Sequence, residues 1–186
     1  MAYHQNTAVD NTKLILGNCK IETASSASDT FVNLGAGIVN SFVYTPTMYD
    51  VQAGNAPDPI EGISHEECTI EAELLEYDAS VLNAIGCGMF TMPSATTVLS
   101  TLTAGGNQTV TKRAFRITNT RMISGATKET IILVYSAFLN SGLTINFKSD
   151  NDADSLAVMP ITITGKVDSS LTAGSQLFSV TKDLWT

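Results

Sequence analysis

Thr69-Ile70-Glu71-Ala72-Glu73-Leu74-Leu75-Glu76 is the clearest period-two stretch in the chain. Successive side chains of a strand point to opposite faces, so Ile70, Ala72 and Leu74 form one face and Thr69, Glu71, Glu73 and Leu75 the other. This reads as a strand with a core side and an acidic side. Immediately afterwards the period changes. Asp78 is a good N-cap, Val81, Leu82 and Ile85 fall at helical spacing, and Gly86 and Gly88 provide the stop. One short amphipathic helix is predicted over about Ala79 to Ile85.

Outward from this segment, strand signals dominate. Leu14 to Leu16, a turn at Gly17-Asn18, and Cys19 to Thr23 read as a hairpin. Phe31 to Leu34 is a short strand closed by Gly35-Ala36-Gly37. Ile38 to Thr45 alternates Ile38, Asn40, Phe42 and Tyr44 against Val39, Ser41, Val43 and Thr45. Both faces are partly apolar, so the strand is either covered twice or meets a partner. Pro46 is expected to end it, Tyr49 to Gln52 to form a further strand, and Ala53 to Pro59 to be loop.

Further on, Phe115 and Ile117 suggest a strand ending near Asn119. Thr130 to Phe138 is apolar on both sides and reads as a central strand. Leu143, Ile145 and Phe147 alternate with polar residues. Leu156 to Val167 forms a long strand with Met159, Ile161 and Ile163 on one face, and its Pro160 implies an edge or a bulge. Leu177 to Val180 is the last strand. Nine or ten strands and one helix, with turns at sandwich or barrel spacing, make a mainly β fold.

Composition narrows the function. The 186 residues suffice for one core without staples. Hydrophobic residues make up 44%, but charged residues only 15% against about 25% in typical soluble domains, which suits a β protein or one largely covered by neighbours. The net charge of −8 disfavours groove binding to nucleic acid, which needs a basic patch. It also offers passing phosphate nowhere to adhere. The N-terminal residues lack a signal-peptide pattern, no apolar run is long enough to span a bilayer, and Cys19, Cys68 and Cys87 read as buried free thiols of a reducing compartment.

Catalytic patterns are weak throughout, and the expectation is that the chain is not an enzyme. His65-Glu66-Glu67-Cys68 lies in a strand, where neighbours diverge and cannot converge on one metal. Gly35-Ala36-Gly37 lacks the rest of a dinucleotide motif. Asp150-Asn151-Asp152-Ala153-Asp154 opens like a calcium loop, but Ser155 and Ile161 stand where an EF-hand needs Gly and Glu. Glu71 and Glu73 share a face, as catalytic carboxylate pairs do, but so do many exposed acidic pairs. No cofactor or metal is expected.

The order of segments resembles the major tail proteins of long-tailed bacteriophages. The resemblance is carried by Leu14-Ile15-Leu16-Gly17-Asn18-Cys19-Lys20-Ile21, by Phe31-Val32-Asn33-Leu34-Gly35-Ala36-Gly37-Ile38, and by Phe42-Val43-Tyr44-Thr45-Pro46 leading to Tyr49-Asp50-Val51. It continues through Glu66 to Leu74 into the helix, and through Asp154 to Ile161 on to Gly165-Lys166-Val167-Asp168. Residues 93 to 128 carry none of it. The resemblance implies a single tail tube domain over residues 1–186, a β-sandwich or barrel with one packed helix. An N-terminal arm spans 1–12, a long stacking loop 46–64 and a C-terminal segment 168–186. It implies hexameric rings stacked into a tube, with Asp50, Asn55, Asp58 and Glu61 at inter-ring contacts. Glu71 and Glu73 would face the lumen, where their charge keeps double-stranded DNA moving without specific binding. Implied partners are sister copies and the tape measure, terminator and distal tail proteins, with no membrane. The implied location is the virion tail, assembled in the bacterial cytoplasm. Competing readings are another virion protein, such as a head decoration protein or tail terminator, and a carbohydrate-binding β-sandwich. The latter would want clustered exposed aromatics, which a chain with 7% aromatic residues hardly supplies.

Overall fold

The structure is a computed structural model that describes residues 19–35, 37–51, 60–75, 79–91, 103–106, 109–123, 126–142, 144–145 and 158–182. These residues form ten strands and one helix: β1 (Cys19–Ala24), β2 (Val32–Asn33), β3 (Gly37–Val51), β4 (Ile60–Leu74), α1 (Ala79–Ile85), β5 (Phe90–Thr91), β6 (Thr103–Ala104), β7 (Arg113–Ile123), β8 (Ala126–Leu139), β9 (Met159–Lys166) and β10 (Phe178–Lys182). The fold is mainly β, as expected, and every strand pairing is antiparallel. Eight strands make one sheet in the order β2-β1-β7-β8-β9-β4-β3, with β10 also on β8; β5 and β6 form a separate pair.

The sheet curls so that its two halves share one core. Ile21 of β1, Ile70 and Leu74 of β4, Phe115 and Ile117 of β7, Val134 of β8, and Ile161 and Ile163 of β9 belong to a single buried cluster. Phe178 of β10 closes it, with its ring edge-on to Phe42 at 5.1 Å and 5.5 Å from Tyr44. The predicted core face of β4 is correct: Ile70, Ala72 and Leu74 are buried, joined by Cys68, and so is the Met159, Ile161, Ile163 face of β9. The helix occupies the predicted residues and buries Leu82 and Ile85 in the same cluster. It stops because Cys87 and Gly88 take positive φ (51° and 85°) after Gly86.

The central strand β8 has three ladder partners, β7, β9 and β10. Residues Thr130 to Val134 pair with β7 on one side and β10 on the other, whereas Ala137 to Leu139 pair with β9. Between them the register steps from Phe115↔Val134 to Arg113↔Ala137, so Tyr135 and Ser136 oppose the single Ala114. This bulge bends β8 from one half of the barrel into the other.

Several predicted boundaries are corrected. Pro46 does not end a strand; β3 runs through it to Val51, absorbing the separate strand predicted at Tyr49. Proline is tolerated because β3 is the last strand of its sheet. Residues 46–64 are therefore not one long loop: 46–51 and 60–64 are strand, and 52–59 lie outside the described residues. β7 extends past Asn119 to Ile123. In the alternating stretch 143–148 only Thr144 and Ile145 are described, and neither is in a strand. In the C-terminal segment, β10 follows the loop that starts at Asp168. The arm at 1–12 and the first strand of the opening hairpin lie outside the described residues. Pro160 sits where, among the described residues, β9 has β4 alone as its ladder partner, which agrees with the edge reading.

A buried carboxylate ties β1 to β7. Glu22 is 4% exposed and accepts from Lys20 Nζ at 2.6 Å and from Arg116 Nε and Nη2 at 2.7 Å. The Arg116 guanidinium in turn lies 4.2 Å over the Phe31 ring. Burial opposes the Glu22 charge, but hydrogen bonds and attraction from Lys20 and Arg116 outweigh it and hold the carboxyl below its ordinary value. A depressed folded-state value gives stability that is complete above the ordinary carboxylate range and vanishes as pH falls through the folded value. Glu22→Gln is expected to cost about 1–2 kcal/mol at neutral pH. In urea melts, the gap between variant and wild type should narrow as the solution is acidified; a gap independent of pH would contradict this role.

The cysteines are free: Cys68 and Cys87 are buried and Cys19 is half-buried. Burial pushes the Cys68 thiol up to about 11. At pH 8, alkylation followed by mass spectrometry should mark Cys19 first and leave Cys68 unmodified until the fold opens. Equal rates at Cys19 and Cys68 would show that this part of the core opens readily.

Candidate assembly surface

β3 is one of the two end strands of the sheet, β2 being the other, with β4 its only ladder partner among the described residues. Its faces depart from simple alternation. Val39 pairs with Ala72 and Ser41 with Glu71, so Asn40 is an extra residue. The bulge puts Val39, Phe42 and Tyr44 on the inner side and Ile38, Ser41 and Val43 on the outer side. Strict alternation would have grouped Ile38 with Phe42. Ile38 and Val43 are accordingly exposed large apolar residues beside an acidic row.

That row is the outer face of β4. Glu71 is exposed and accepts from Ser41 Oγ at 3.1 Å, and Glu73 is half-buried opposite Ile38. The two carboxylates share a face, as the sequence predicts. Further along, Lys166 of β9 forms an ion pair with Glu67 and holds its carboxyl below the ordinary value, while His65 Nε2 lies 3.6 Å from the same oxygen. On the inner side Tyr44 donates to Glu66 at 2.5 Å, which raises the phenol's pKa.

Beyond Glu67 the β4 strand has lost β9, whose last paired residue is Lys166. Residues Ile60 to Glu66 then pair only with β3 among the described residues. At about 3.4 Å per residue, the two-stranded ribbon projects on the order of 20 Å from the three-stranded part. A second bulge lies within it, where Thr47 pairs with His65 and Met48 with Ile63, and Ser64 Oγ donates to the Thr47 carbonyl at 3.1 Å. Met48 is 58% exposed and Ile63 opposite it 49%. On the other face Tyr49 covers the bare backbone of Gly62, where an added Cβ would lie 2.6 Å from the ring.

Of the predicted contact residues, Asp50 and Glu61 come together as a directly opposed pair on the ribbon. Asn55 and Asp58 lie outside the described residues. Sequence reading missed Met48 and Ile63, because the ribbon was assigned to loop. No local signal marked it: in Ile60 to His65 neither alternate row is apolar, so the stretch lacks a period-two pattern.

Comparison with known proteins gives little. The chain is similar to an Hcp protein solved by crystallography, at 8% sequence identity and a TM-score of 0.36, over 90% of this chain and 99% of that one. So loose a superposition carries no argument. No family model matches the sequence. No curated protein matches it either. Among the described residues, no group of three or more His, Cys, Asp or Glu side chains is placed to hold a metal, and no helix is long and apolar enough to cross a membrane.

What the surface can do follows from its energetics. An isolated two-stranded ribbon is at best marginally stable in water. This one carries exposed Met48, Tyr49 and Ile63, and runs on into a strand with exposed Ile38 and Val43 whose ladder partner among the described residues is β4 alone. Such a long edge is a template for pairing with another chain, and on β3 only Pro46 and the two bulges blunt it among the described residues.

Proposed function

We propose that the chain is a structural protein that assembles with itself into rings stacked as a tube, the tail tube of a bacteriophage. The observation that supports this best is the β3–β4 ribbon, a projecting element with apolar side chains and no covering partner in its own chain among the described residues. A head-to-tail contact between identical subunits closes into a ring or runs on as a filament. In this reading the outer flank of β3 meets the neighbouring subunit within a ring, and the ribbon reaches an adjacent ring. The Glu71 and Glu73 row, one strand inward, faces the opening, where fixed negative charge keeps DNA phosphates from adhering. The assembly is hexameric and belongs to the virion, and the chain has no catalytic role.

Negative-stain electron microscopy and sedimentation of the purified protein test the reading. Wild type should form rings or tubes at high concentration. Val43→Asp should retain the wild-type melting curve yet remain monomeric. A wild-type chain that stays monomeric at millimolar concentration would overturn the proposal. The lumen assignment has its own test: a structure of the tube with Glu71 and Glu73 buried between subunits would exclude it.

A further inference from the structure

Where the β3–β4 ribbon begins, a pocket of about 250 Å³ lies between its inner side and the segment that leads into β10. Tyr44 of β3, Glu66 of β4, and Gly174, Gln176, Leu177 and Phe178 line it. Backbone bonds fix the far wall. The Tyr135 N–H donates to the Leu177 carbonyl at 3.2 Å, and the Asp168 N–H to the Gln176 carbonyl at 2.8 Å. The Gln176 side-chain amide donates to the Leu171 carbonyl at 2.7 Å. On the near wall, Tyr44 is opposite Cys68 and Glu66 opposite Pro46, so Tyr44 and Glu66 are diagonal neighbours within reach of each other.

The Glu66 carboxylate is half-buried and has no counter-ion among the described residues. Its partner there is the Tyr44 hydroxyl, which donates to Oε1 at 2.5 Å. One hydroxyl fills one of roughly four acceptor positions on a carboxylate and does not neutralise it. Glu67, on the opposite face, takes Lys166 and His65. Beside Glu66 the Tyr44 and Phe178 rings stand 5.5 Å apart with 59° between their planes, a corner and not a stack. Buried Leu177 adds an apolar surface. These walls select a ligand. An anion meets the Glu66 charge, and a neutral apolar molecule strips water from it without compensation. A hard metal ion wants more oxygen ligands than one carboxylate and one phenol supply. An organic cation suits all of them: its N–H groups pair with the carboxylate, its charge is attracted by aromatic faces, and its stem lies on apolar surface. The volume falls short of the range of about 300–1,000 Å³ for drug-sized ligands and suits one alkylguanidinium or alkylammonium group.

We infer that this pocket is a receptor for an organic cation, an alkylguanidinium or alkylammonium group paired with Glu66 and flanked by Tyr44 and Phe178. The group is presented either by a lysine or arginine side chain of a sister copy or by a free small amine; the recognition chemistry is the same. The site stands apart from the tube reading and goes beyond it.

Titration of dilute wild-type protein with butylguanidinium tests the site, read by NMR from the Tyr44 and Phe178 ring resonances. Butylurea, nearly the same shape without the charge, is the control. Butylguanidinium should shift both rings saturably, and butylurea should bind at least about tenfold more weakly. Glu66→Gln keeps an acceptor for the Tyr44 hydroxyl and should weaken butylguanidinium by a similar factor. Phe178→Leu should weaken it by about two- to fivefold. Equal binding of the two probes, or no saturable shift, would overturn the site. That comparison uses wild type alone, so a misfolded variant cannot obscure it. Sedimentation of assembled wild type then separates the sources. Excess butylguanidinium should disperse the assembly if a sister side chain fills the pocket, and leave it intact if a free amine does. A wild type that never assembles would defeat the tube reading and leave the titration to decide the pocket.

Discussion

Phe115→Ala is expected to lower the unfolding free energy by about 3–5 kcal/mol, the range for emptying a fully buried aromatic site. Phe115 is the largest side chain with no exposure in the described structure. It pairs with Thr23 of β1 and Val134 of β8 and so sits where the curled sheet is joined. Neighbours on three strands cannot collapse into the void without breaking their ladders. Urea unfolding followed by circular dichroism would measure the loss. A cost below about 1 kcal/mol would mean that the site collapses freely and that the core is packed less tightly than these contacts imply.

Gly165→Val should be comparably damaging for the opposite reason. Gly165 pairs with Cys68 on one side and Ala137 on the other. A Cβ there would lie 2.5 Å from Cys68 Sγ and 2.6 Å from Val134 Cγ1. Neither neighbour has room to move in a buried cluster. Gly165→Ala should cost about 1–3 kcal/mol and the valine variant more. The mechanism predicts coupling: Val134→Ala, destabilising alone, should cost less in the Gly165→Ala background because it removes one of the clashing atoms. Strict additivity of the two changes would rule out the proposed clash.

The parts of the fold legible in the sequence were those governed by local pattern. Glu71 and Glu73 fell on a common outward face because β4 alternates without interruption from Cys68 to Leu74. Met159, Ile161 and Ile163 did so in β9, and the helix declared itself through the change of period after Asp78. What escaped was set by partner strands. The extra residue at Asn40 exchanges the faces of β3, and nothing in the local sequence marks it; the mismatch arises only against Ala72 and Glu71. Pro46 suggested an end, yet proline forbids only a donor, and on an outermost strand that donor is not needed. Asp50 and Glu61 were named only as inter-ring contacts that the resemblance implied; that they stand directly opposite each other needed the register of β3 on β4.

The change of partner along β8, from β10 to β9, has a consequence for how the molecule comes apart. One peptide segment is the seam of two barrel halves, and the Tyr135-Ser136 kink fixes the phase between them. Deleting either residue would leave one half with its interior turned outward. Neither half can melt while the other keeps its register, so the described body should be lost in one concerted step, leaving the projecting β3–β4 ribbon as the portion free to fray.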